Sequence, residues 1–514
     1  MQPIRLVKGF VTVGGWTLAS RLLGFVRDIL IAAYLGAGPV AQAFIIAFSL
    51  PNMFRRFFAE GAFNMAFVPM FSKRLEGEED AEGFARDAFS GLSTLLIAFT
   101  LLAQLAMPWL VLAMASGFAG DDRFAMAVQF GRIAFPYILF ISLAALCSGV
   151  LNAAGRFTAA AAAPVLLNVL FISALAGADI LGWPFGLTLA WTVPVAGVAQ
   201  LGLVWIAAAR AGFRLTPRLP RLTPEMKRLA RIAAPAMLAG GVVQVNLLIG
   251  RQVASYFGNA VAWLYNADRL YQLPLGVVAI AIGVVLLPDL ARKLKAGDVA
   301  GGRASFSRAT EFALALTVPA AVALIVIPMP LIHVLFERGR FTAADVPPTA
   351  LAVSVYGAGL PAFVLQKVLQ PLFFAREDTR RPFYYAVVAM VVNAALALGL
   401  APFLGFIAAA LGTTLAGWAM VWQLWSGSRA MGPAAGLDER FRRRAPRIVL
   451  ASAGMGLCLF VTMMELEGML AAGALKYLAL LILIGVGVVS YFGIGAAIGA
   501  FRLSDFRSAL RRGG

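Results

Sequence analysis

The stretch from residue 88 to residue 116 reads AFSGLSTLLIAFTLLAQLAMPWLVLAMAS and contains no charged side chain. About 20 consecutive apolar residues are enough for a helix to cross the hydrocarbon core of a bilayer. Stretches of this kind recur along the chain from Val11 to Ala500. They are continuous, whereas the strands of an outer-membrane barrel alternate apolar and polar residues over roughly ten positions. The sequence therefore predicts an all-α protein that crosses the membrane many times.

The composition excludes most other classes of protein. Of the 514 residues 61% are hydrophobic and 13% are charged, whereas a soluble domain is about half apolar and a quarter charged. The only cysteines, Cys147 and Cys458, lie in apolar stretches, and His333 is the only histidine. This content does not fit a disulfide scaffold or a thiolate metal site. Because the first apolar stretch contains Arg21 and Arg27, we expect a retained first helix there instead of a cleaved signal peptide.

Charged or Gly/Pro-rich segments divide the chain into spans of helix length. We predict about fourteen transmembrane helices, near residues 10–35, 41–71, 88–116, 125–154, 159–181, 184–210, 232–257, 261–288, 306–335, 347–375, 383–404, 406–428, 447–465 and 471–500.

The basic residues predict the orientation of these spans. The net charge is +18, from 43 Lys and Arg against 25 Asp and Glu. With the N-terminus in the cytoplasm, 31 of the bases fall in the cytoplasmic segments and four on the opposite side. Cytoplasmic loops of membrane proteins collect Lys and Arg. We therefore expect both termini in the cytoplasm, and the positive charge needs no nucleic acid to explain it.

The sequence also repeats itself. Tyr34-Leu35-Gly36 resembles Tyr256-Phe257-Gly258, and Leu151 to Thr158 resembles Leu372 to Thr379, at offsets between 219 and 225. Six helices per copy give both copies the same topology, which is a parallel duplication with a cleft expected between two lobes. The predicted segments are an N-terminal lobe at 1–213, a basic linker at 214–231, a C-terminal lobe at 232–428, a basic loop at 429–446, and two extra helices with a cytoplasmic tail at 447–514.

Charged residues inside the predicted spans are the candidates for function. Each costs about 2.5–3.5 kcal/mol at mid-bilayer, so it faces the bundle interior or a water-filled cavity. Four acids lie within the spans or at their edge, namely Asp28, Glu60, Asp268 and Glu311. Eight bases do so, namely Arg21, Arg27, Arg55, Arg56, Arg132, Arg251, Arg269 and Lys367. The surplus of bases predicts a cavity that binds an anion, and guanidinium groups fit the oxygens of a phosphate.

Spacing suggests how these charges are paired. Arg21 and Asp28 are seven residues apart on one helical face, so Asp28 is expected to neutralise Arg21 and to leave Arg27 for a ligand. Pro51 is expected to interrupt the backbone hydrogen-bond ladder of its helix and to loosen the turn that carries Arg55 and Arg56.

Structural explanations compete with ligand binding at each of these positions. Arg56 and Glu60 are four residues apart and fit an internal pair. Interhelical salt bridges without a ligand would account for Arg27, Arg55 and Arg269. Two arginines near the ends of their spans could extend their charged groups to the membrane interface, namely Arg132 and Arg251. Lys367 fits either a structural or a functional role, and His333 a structural one.

Several motifs resemble the MurJ (MviN) family of bacterial lipid II flippases, and the resemblance covers the whole chain. They are Ser20-Arg21-Leu22-Leu23-Gly24-Phe25-Val26-Arg27-Asp28, Leu50-Pro51-Asn52-Met53-Phe54-Arg55-Arg56, Glu60-Gly61-Ala62-Phe63, Ala267-Asp268-Arg269-Leu270 and Leu335-Phe336-Glu337-Arg338-Gly339. The family belongs to the multidrug/oligosaccharidyl-lipid/polysaccharide (MOP) exporter superfamily.

The resemblance implies two six-helix lobes in a V around a central cavity, with the last two helices forming a groove for the polyprenyl tail. It implies a transporter, not an enzyme, that moves lipid II to the outer leaflet of the bacterial cytoplasmic membrane for peptidoglycan synthesis. Such a protein is expected to be a monomer in transient contact with the cell-wall synthesis machinery. The resemblance assigns the pyrophosphate to Arg21, Arg27, Arg55 and Arg269. The count of charges inside the spans adds the supporting charges of the cavity, namely Asp28, Arg56, Glu60, Asp268 and Lys367.

Two departures from the family pattern affect these expectations. Gln42 stands where many members have an acid, which weakens a role for charge at that position. Some members bind sodium through acids in the seventh and eleventh helices, but residues 232–257 and 383–404 contain none. Asn393 and Thr413 are the remaining weak sodium candidates. We therefore expect no cofactor or metal, and transport driven by the membrane potential.

Three other functions compete with that of a lipid II flippase. A related exporter of another polyprenyl-linked oligosaccharide or of a drug would share the fold. A membrane enzyme that acts on polyprenyl phosphates would need paired metal-binding carboxylates or several histidines, and a scaffold protein would not account for so many buried arginines.

Overall fold

The computed structural model describes residues 3–56, 62–77 and 79–501, and within them the chain is almost entirely helical with no β-strand. The α-helices are α1 Pro3–Leu35, α2 Pro39–Arg55, α3 Ala62–Glu76, α4 Ala81–Ala115, α5 Asp122–Ala134, α6 Tyr137–Ala153, α7 Thr158–Leu181, α8 Phe185–Arg210, α9 Pro224–Ser255, α10 Ala260–Lys295, α11 Val299–Val326, α12 Pro328–Phe336, α13 Val346–Phe374, α14 Arg380–Leu404, α15 Ile407–Ser428, α16 Glu439–Glu465, α17 Glu467–Leu470 and α18 Leu475–Ala497.

Ten segments among the described residues are long and apolar enough to cross a membrane. They correspond to ten of the fourteen predicted spans and include α4, α7, α8 and α18. The all-α, multi-pass architecture is thereby confirmed, whereas the number fourteen is not. The remaining predicted spans correspond to α1, α2 with α3, α9 and α10. These helices carry most of the arginines that the sequence places inside the membrane.

Proline divides two of the predicted spans. The span predicted at 306–335 is two helices, because α11 ends at Val326 and Pro328 begins α12. Proline has no N–H to donate and its ring clashes with the preceding turn, so it fits better at the first position of a new helix. Pro136 separates α5 from α6 within the span predicted at 125–154. Pro51, by contrast, does not break its helix, since α2 continues through it to Arg55, and the loosened turn expected there stays a prediction.

The described residues form two compact units, and the first contains residues up to 262 together with 338–341. In this unit α1 packs against α7, α2 against α5, α6 against α8, and α9 against α3 and α4. Phenylalanine rings fill the contacts; for example, Phe44 and Phe48 stack at 5.7 Å and both pack on Phe171. The backbone N–H of Arg340 donates to the carbonyl of Ala33 at 2.8 Å, which joins residues 338–341 to the end of α1.

The second unit contains residues 263–337 and those from 342 onward. Its centre is α13, which packs against α11 and α15, and α14 packs against α15. The extra helices α16 and α18 pack on each other, and α16 also packs on α11. A buried apolar cluster holds them there, formed by Ile327, Ala451, Met455, Leu459, Leu483 and Tyr491.

The internal repeat predicted from the sequence is visible in the local backbone. Asp80 caps the N-terminus of α4 by accepting from the N–H of Gly83, and Asp298 caps α11 in the same way through Gly301. Gly155 has a φ of 73° and Glu377, in the matching turn, has a φ of 60°. In the alignment of the two copies Gly155 matches Arg376, so Glu377 lies one position further along the same turn. The predicted lobe boundaries stay a prediction, and α9 packs within the first unit.

Candidate functional site

Arg27 of α1 is the most buried of the predicted ligand-binding arginines, with 8% of its surface exposed. Its Nε and Nη2 donate to Oδ1 of Asp28 at 3.0 and 2.8 Å, and its Nη1 donates to Oδ1 of Asn168 on α7 at 2.9 Å. The guanidinium also lies 5.6 Å from the ring centre of Phe171. Arg27 is therefore fixed by contacts from two helices.

This geometry corrects the pairing expected from the sequence. Asp28 neutralises Arg27, not Arg21, because the guanidinium of Arg27 folds onto the neighbouring carboxylate. Spacing on a helix does not predict such a contact, since adjacent residues do not normally face each other. A guanidinium has five N–H groups, of which three make the contacts described. One donor on each Nη atom takes no part in these three contacts.

Asn168 is a site residue that the sequence analysis missed. It is almost fully buried, accepts from Arg27, and donates from Nδ2 to the backbone carbonyl of Ser20 at 2.8 Å. The side chain thus fixes Arg27 and the α1 backbone at once. The available signal was an amide at the middle of an otherwise apolar span, because polar groups within a membrane require partners.

The other candidates of the first unit lie on α1 and α2. Arg21 is partly exposed and makes no side-chain hydrogen bond or ion pair to another described residue. Arg55 ends α2 and is partly exposed, and Arg56, directly after it, is exposed. Glu60 lies outside the described residues, so its predicted pair with Arg56 stays a prediction.

In the second unit, Asp268 and Arg269 lie on α10. The Nε2 amide of Gln272, one turn further along, donates to Asp268. The guanidinium of Arg269 lies 4.3 Å from the ring centre of Tyr265, within the range of a cation–π contact. The ring and the amide, which the sequence analysis did not single out, therefore orient this pair of charges.

Lys367 is an exposed residue on α13, and it makes no side-chain hydrogen bond or ion pair among the residues the structure describes. The weak sodium candidates lie on adjacent helices, Asn393 fully buried on α14 and Thr413 on α15. The Thr413 hydroxyl donates to the carbonyl of Ala409 on its own helix at 3.0 Å. Over the described ranges no three His, Cys, Asp or Glu residues group together in a way that could hold a metal ion.

Gln42, which departs from the family pattern, is buried in a polar network at the N-terminal end of α2. Nη1 of Arg123 donates to its Oε1 at 3.2 Å, and its own Nε2 donates to Oδ1 of Asn259 at 3.2 Å. Arg123 also bonds to Asp121 and holds the pKa of that carboxyl below its usual value. An amide both accepts and donates, whereas an ionised acid only accepts. Gln42 therefore makes contacts here that a carboxylate cannot.

Comparison with known proteins identifies the family. The sequence matches the family described as "Lipid II flippase MurJ" over residues 31–480. The chain belongs to the lipid II flippase MurJ family.

Curated relatives named as MurJ flippases match over three quarters of the chain or more. A probable lipid II flippase MurJ of Rhizobium meliloti (strain 1021) is 45% identical, over 99% of this chain and 97% of the relative. The lipid II flippase MurJ of Burkholderia cenocepacia is 37% identical, over 76% of this chain and 77% of its own length.

Solved structures support the fold. A lipid II flippase MurJ in an inward closed conformation superposes with a TM-score of 0.79 and 23% identity, covering 95% of this chain and 98% of that one. An inward-facing multidrug resistance MATE family transporter of the MOP superfamily gives a TM-score of 0.68 at 15% identity, with 81% and 95% coverage. The chain thus shares its fold with these proteins.

Proposed function

We propose that this protein is a flippase that moves lipid II from the inner to the outer leaflet of the bacterial cytoplasmic membrane. The main support is the MurJ family match over residues 31–480, together with relatives named as lipid II flippases along nearly the whole chain. The apolar helices of the structure agree with a multi-pass membrane protein. The excess of Lys and Arg in alternate connections supports cytoplasmic termini.

Four arginines bind the pyrophosphate of lipid II in this proposal, namely Arg21, Arg27, Arg55 and Arg269. The contacts of Arg27 support its part. Asp28 balances its charge while no ligand is bound, and the two N–H groups left on the Nη atoms suit two phosphate oxygens. Asp28, Arg56, Glu60, Asp268 and Lys367 adjust the charge around the ligand.

Transport follows alternating access, with the polyprenyl tail remaining in lipid throughout. The membrane potential, negative inside, favours outward movement of the anionic substrate and inward return of the empty, positively charged site. One charge moved across 100 mV corresponds to about 2.3 kcal/mol. Neither a cofactor nor sodium is required, and the protein works as a monomer with transient contacts to the cell-wall synthesis machinery.

The deciding experiment measures lipid II exposed in the outer leaflet of cells whose only copy of this protein can be inactivated rapidly. We expect a prompt loss of exposed lipid II while the inner pool rises. Unchanged exposure during inactivation would refute the flippase assignment, and mass spectrometry of the co-purified lipid would then identify the cargo.

A pair of variants tests the role of the arginines. Arg27→Gln should abolish growth when it is the sole copy, at a normal protein level. Arg132→Gln is the matched control, since Arg132 is also within a membrane span but is exposed and donates to the backbone carbonyl of Gln104. Growth supported by Arg27→Gln would remove this residue from the site.

The energy source is tested in proteoliposomes. An imposed potassium diffusion potential, negative inside, should accelerate flipping, and replacing sodium by choline should leave the rate unchanged. Dependence on sodium at a fixed potential would overturn this part of the proposal and direct attention to Asn393 and Thr413.

A further inference from the structure

A pocket of about 260 Å³ lies in the second unit where α15 ends. Its lining includes Trp425, Ser428, Arg429, Gly432, Leu437 and Arg442. These residues belong to the last turn of α15, to the basic segment that follows it and, for Arg442, to the first turn of α16. The proposed transport mechanism does not use the pocket.

The wall of the pocket is fixed by polar contacts from neighbouring helices. Nη2 of Arg376 donates to the carbonyl of Met431 at 3.2 Å, and Nη2 of Arg303 donates to the carbonyl of Leu437 at 2.6 Å. The N–H of Asp438 donates to the hydroxyl of Ser307 at 2.9 Å. The segment is thereby tied to the body of the unit at three points, so the pocket is a preformed feature of this loop.

The arginines of this segment divide into two groups. Arg443 pairs with Glu439 at 2.5 Å, and Arg444 pairs with Glu311 at 2.7 Å. In contrast, the side chains of Arg429 and Arg442 make no hydrogen bond or ion pair with any residue in the described part of the chain. Both of these arginines line the pocket. Two guanidinium groups without a carboxylate partner favour a phosphate, whose oxygens match their planar forks.

An exposed apolar stripe on α15 leads to the same pocket. Leu415, Trp418 and Trp422 are 44%, 40% and 69% exposed, and Arg429 follows Trp422 by seven residues on the same helical face. Tryptophan is enriched where the hydrocarbon core meets the head groups. Basic pockets between helices on the cytoplasmic side of a membrane suit anionic lipid head groups. A single phospholipid could therefore place an acyl chain on the stripe and its phosphate in the pocket.

We propose that this pocket binds an anionic phospholipid of the inner leaflet. Arg429 and Arg442 contact its phosphodiester, and Trp418 and Trp422 contact an acyl chain. This lipid site is separate from the arginines assigned to lipid II, and it does not depend on the transport proposal.

Native mass spectrometry of the full-length protein in mixed micelles tests the site, with phosphatidylglycerol and phosphatidylcholine of identical chains as probes. The double variant R429Q/R442Q should bind phosphatidylglycerol about thirtyfold more weakly, because the two arginines near the membrane surface contribute about 1 kcal/mol each and about 1.4 kcal/mol is a tenfold change. R443Q is the matched control. It removes one positive charge from the same segment outside the pocket lining, so it gives the effect of a single lost charge there, and it should change binding by less than about twofold.

Two further measurements separate a lipid from free phosphate and binding from folding. Excess inorganic phosphate should leave phosphatidylglycerol bound. Trp422→Ala, at an exposed position, should weaken binding of the long-chain lipid and spare its dihexanoyl analogue. Equal losses in R443Q and R429Q/R442Q, equal retention of phosphatidylcholine, or displacement by inorganic phosphate would each overturn the proposal.

Discussion

Asn168 is predicted to act on lipid II through Arg27, and the substitution Asn168→Leu tests this. Leucine has a similar volume but removes the acceptor for Nη1 of Arg27 and the donor to the Ser20 carbonyl. A hydrogen bond to a charged group contributes about 1.5–3 kcal/mol in water-soluble proteins, whereas interhelical hydrogen bonds in membranes reach about 1.7 kcal/mol at most in double-mutant cycles. We take about 1.4 kcal/mol, which corresponds to a tenfold change in affinity.

Binding of lipid II to the purified protein is measured by native mass spectrometry, and function is measured by growth with the variant as sole copy. Gln200→Leu is the matched control. Gln200 is also a buried amide, accepting from the Tyr137 hydroxyl at 3.1 Å and donating to the Ala163 carbonyl at 2.9 Å. Neither contact involves a charged group, so Gln200→Leu should lower thermal stability by a similar amount and leave the affinity for lipid II unchanged.

The comparison separates positioning from folding. A tenfold loss of affinity in Asn168→Leu alone supports a positioning role for the amide. Wild-type affinity in Asn168→Leu, or an equal loss in Gln200→Leu, would refute the reasoning, because the amide would then contribute only to helix packing.

Three further predictions concern stability, each measured by thermal unfolding in detergent. Gly117→Ala should lower the free energy of unfolding by about 1–3 kcal/mol, because a Cβ there would lie 2.5 Å from the backbone carbonyl carbon of Ser255. The control Gly202→Ala should not lower stability, since a Cβ at Gly202 would lie in open space. Glu377→Gly should raise stability by up to about 1 kcal/mol by relieving the left-handed backbone, and an unchanged midpoint would show that the turn is unstrained. Lys293 and Ser305 hydrogen-bond to Asp289 and hold its pKa below the usual value. The stability that these hydrogen bonds add is therefore fully present above the ordinary pKa of an aspartate, near 4, and is lost as the pH falls through the lowered pKa of Asp289. Asp289→Asn should flatten the acid side of the stability profile, and an identical profile would exclude the pair.

The helices themselves were predictable because apolar length alone determines them. The spans predicted at 159–181 and 184–210 differ by one residue at most from α7 and α8. Prolines were harder to interpret, since the residue type fits both a kink and a break. Pro51 lies inside a continuous helix, whereas Pro328 begins a new one. Which outcome occurs depends on how the rest of the unit packs around the turn, and the local sequence does not contain that information.

The candidate site was predictable in composition but not in contacts. The cost of a charge in the membrane identified Arg27 and Asp28 as residues that need partners. Their actual contacts depend on side-chain reach and on a helix far away in sequence, since Arg27 and Asn168 are 141 residues apart. The pocket at Arg429 and Arg442 was equally hidden, because only the structure shows which arginines of the segment have a carboxylate within reach.

The pairing of Arg27 with Asp28 has a consequence for how the chain enters the membrane. During synthesis α1 emerges long before α7, so Asn168 does not exist when the translocon receives the first helix. Two separate charges at mid-bilayer would cost about 2.5–3.5 kcal/mol each on insertion scales. A carboxylate on the adjacent residue lets the first helix partition as an electrically neutral dipole. The neighbouring acid thus compensates the arginine from the moment of integration, and the amide of the later helix only has to orient it.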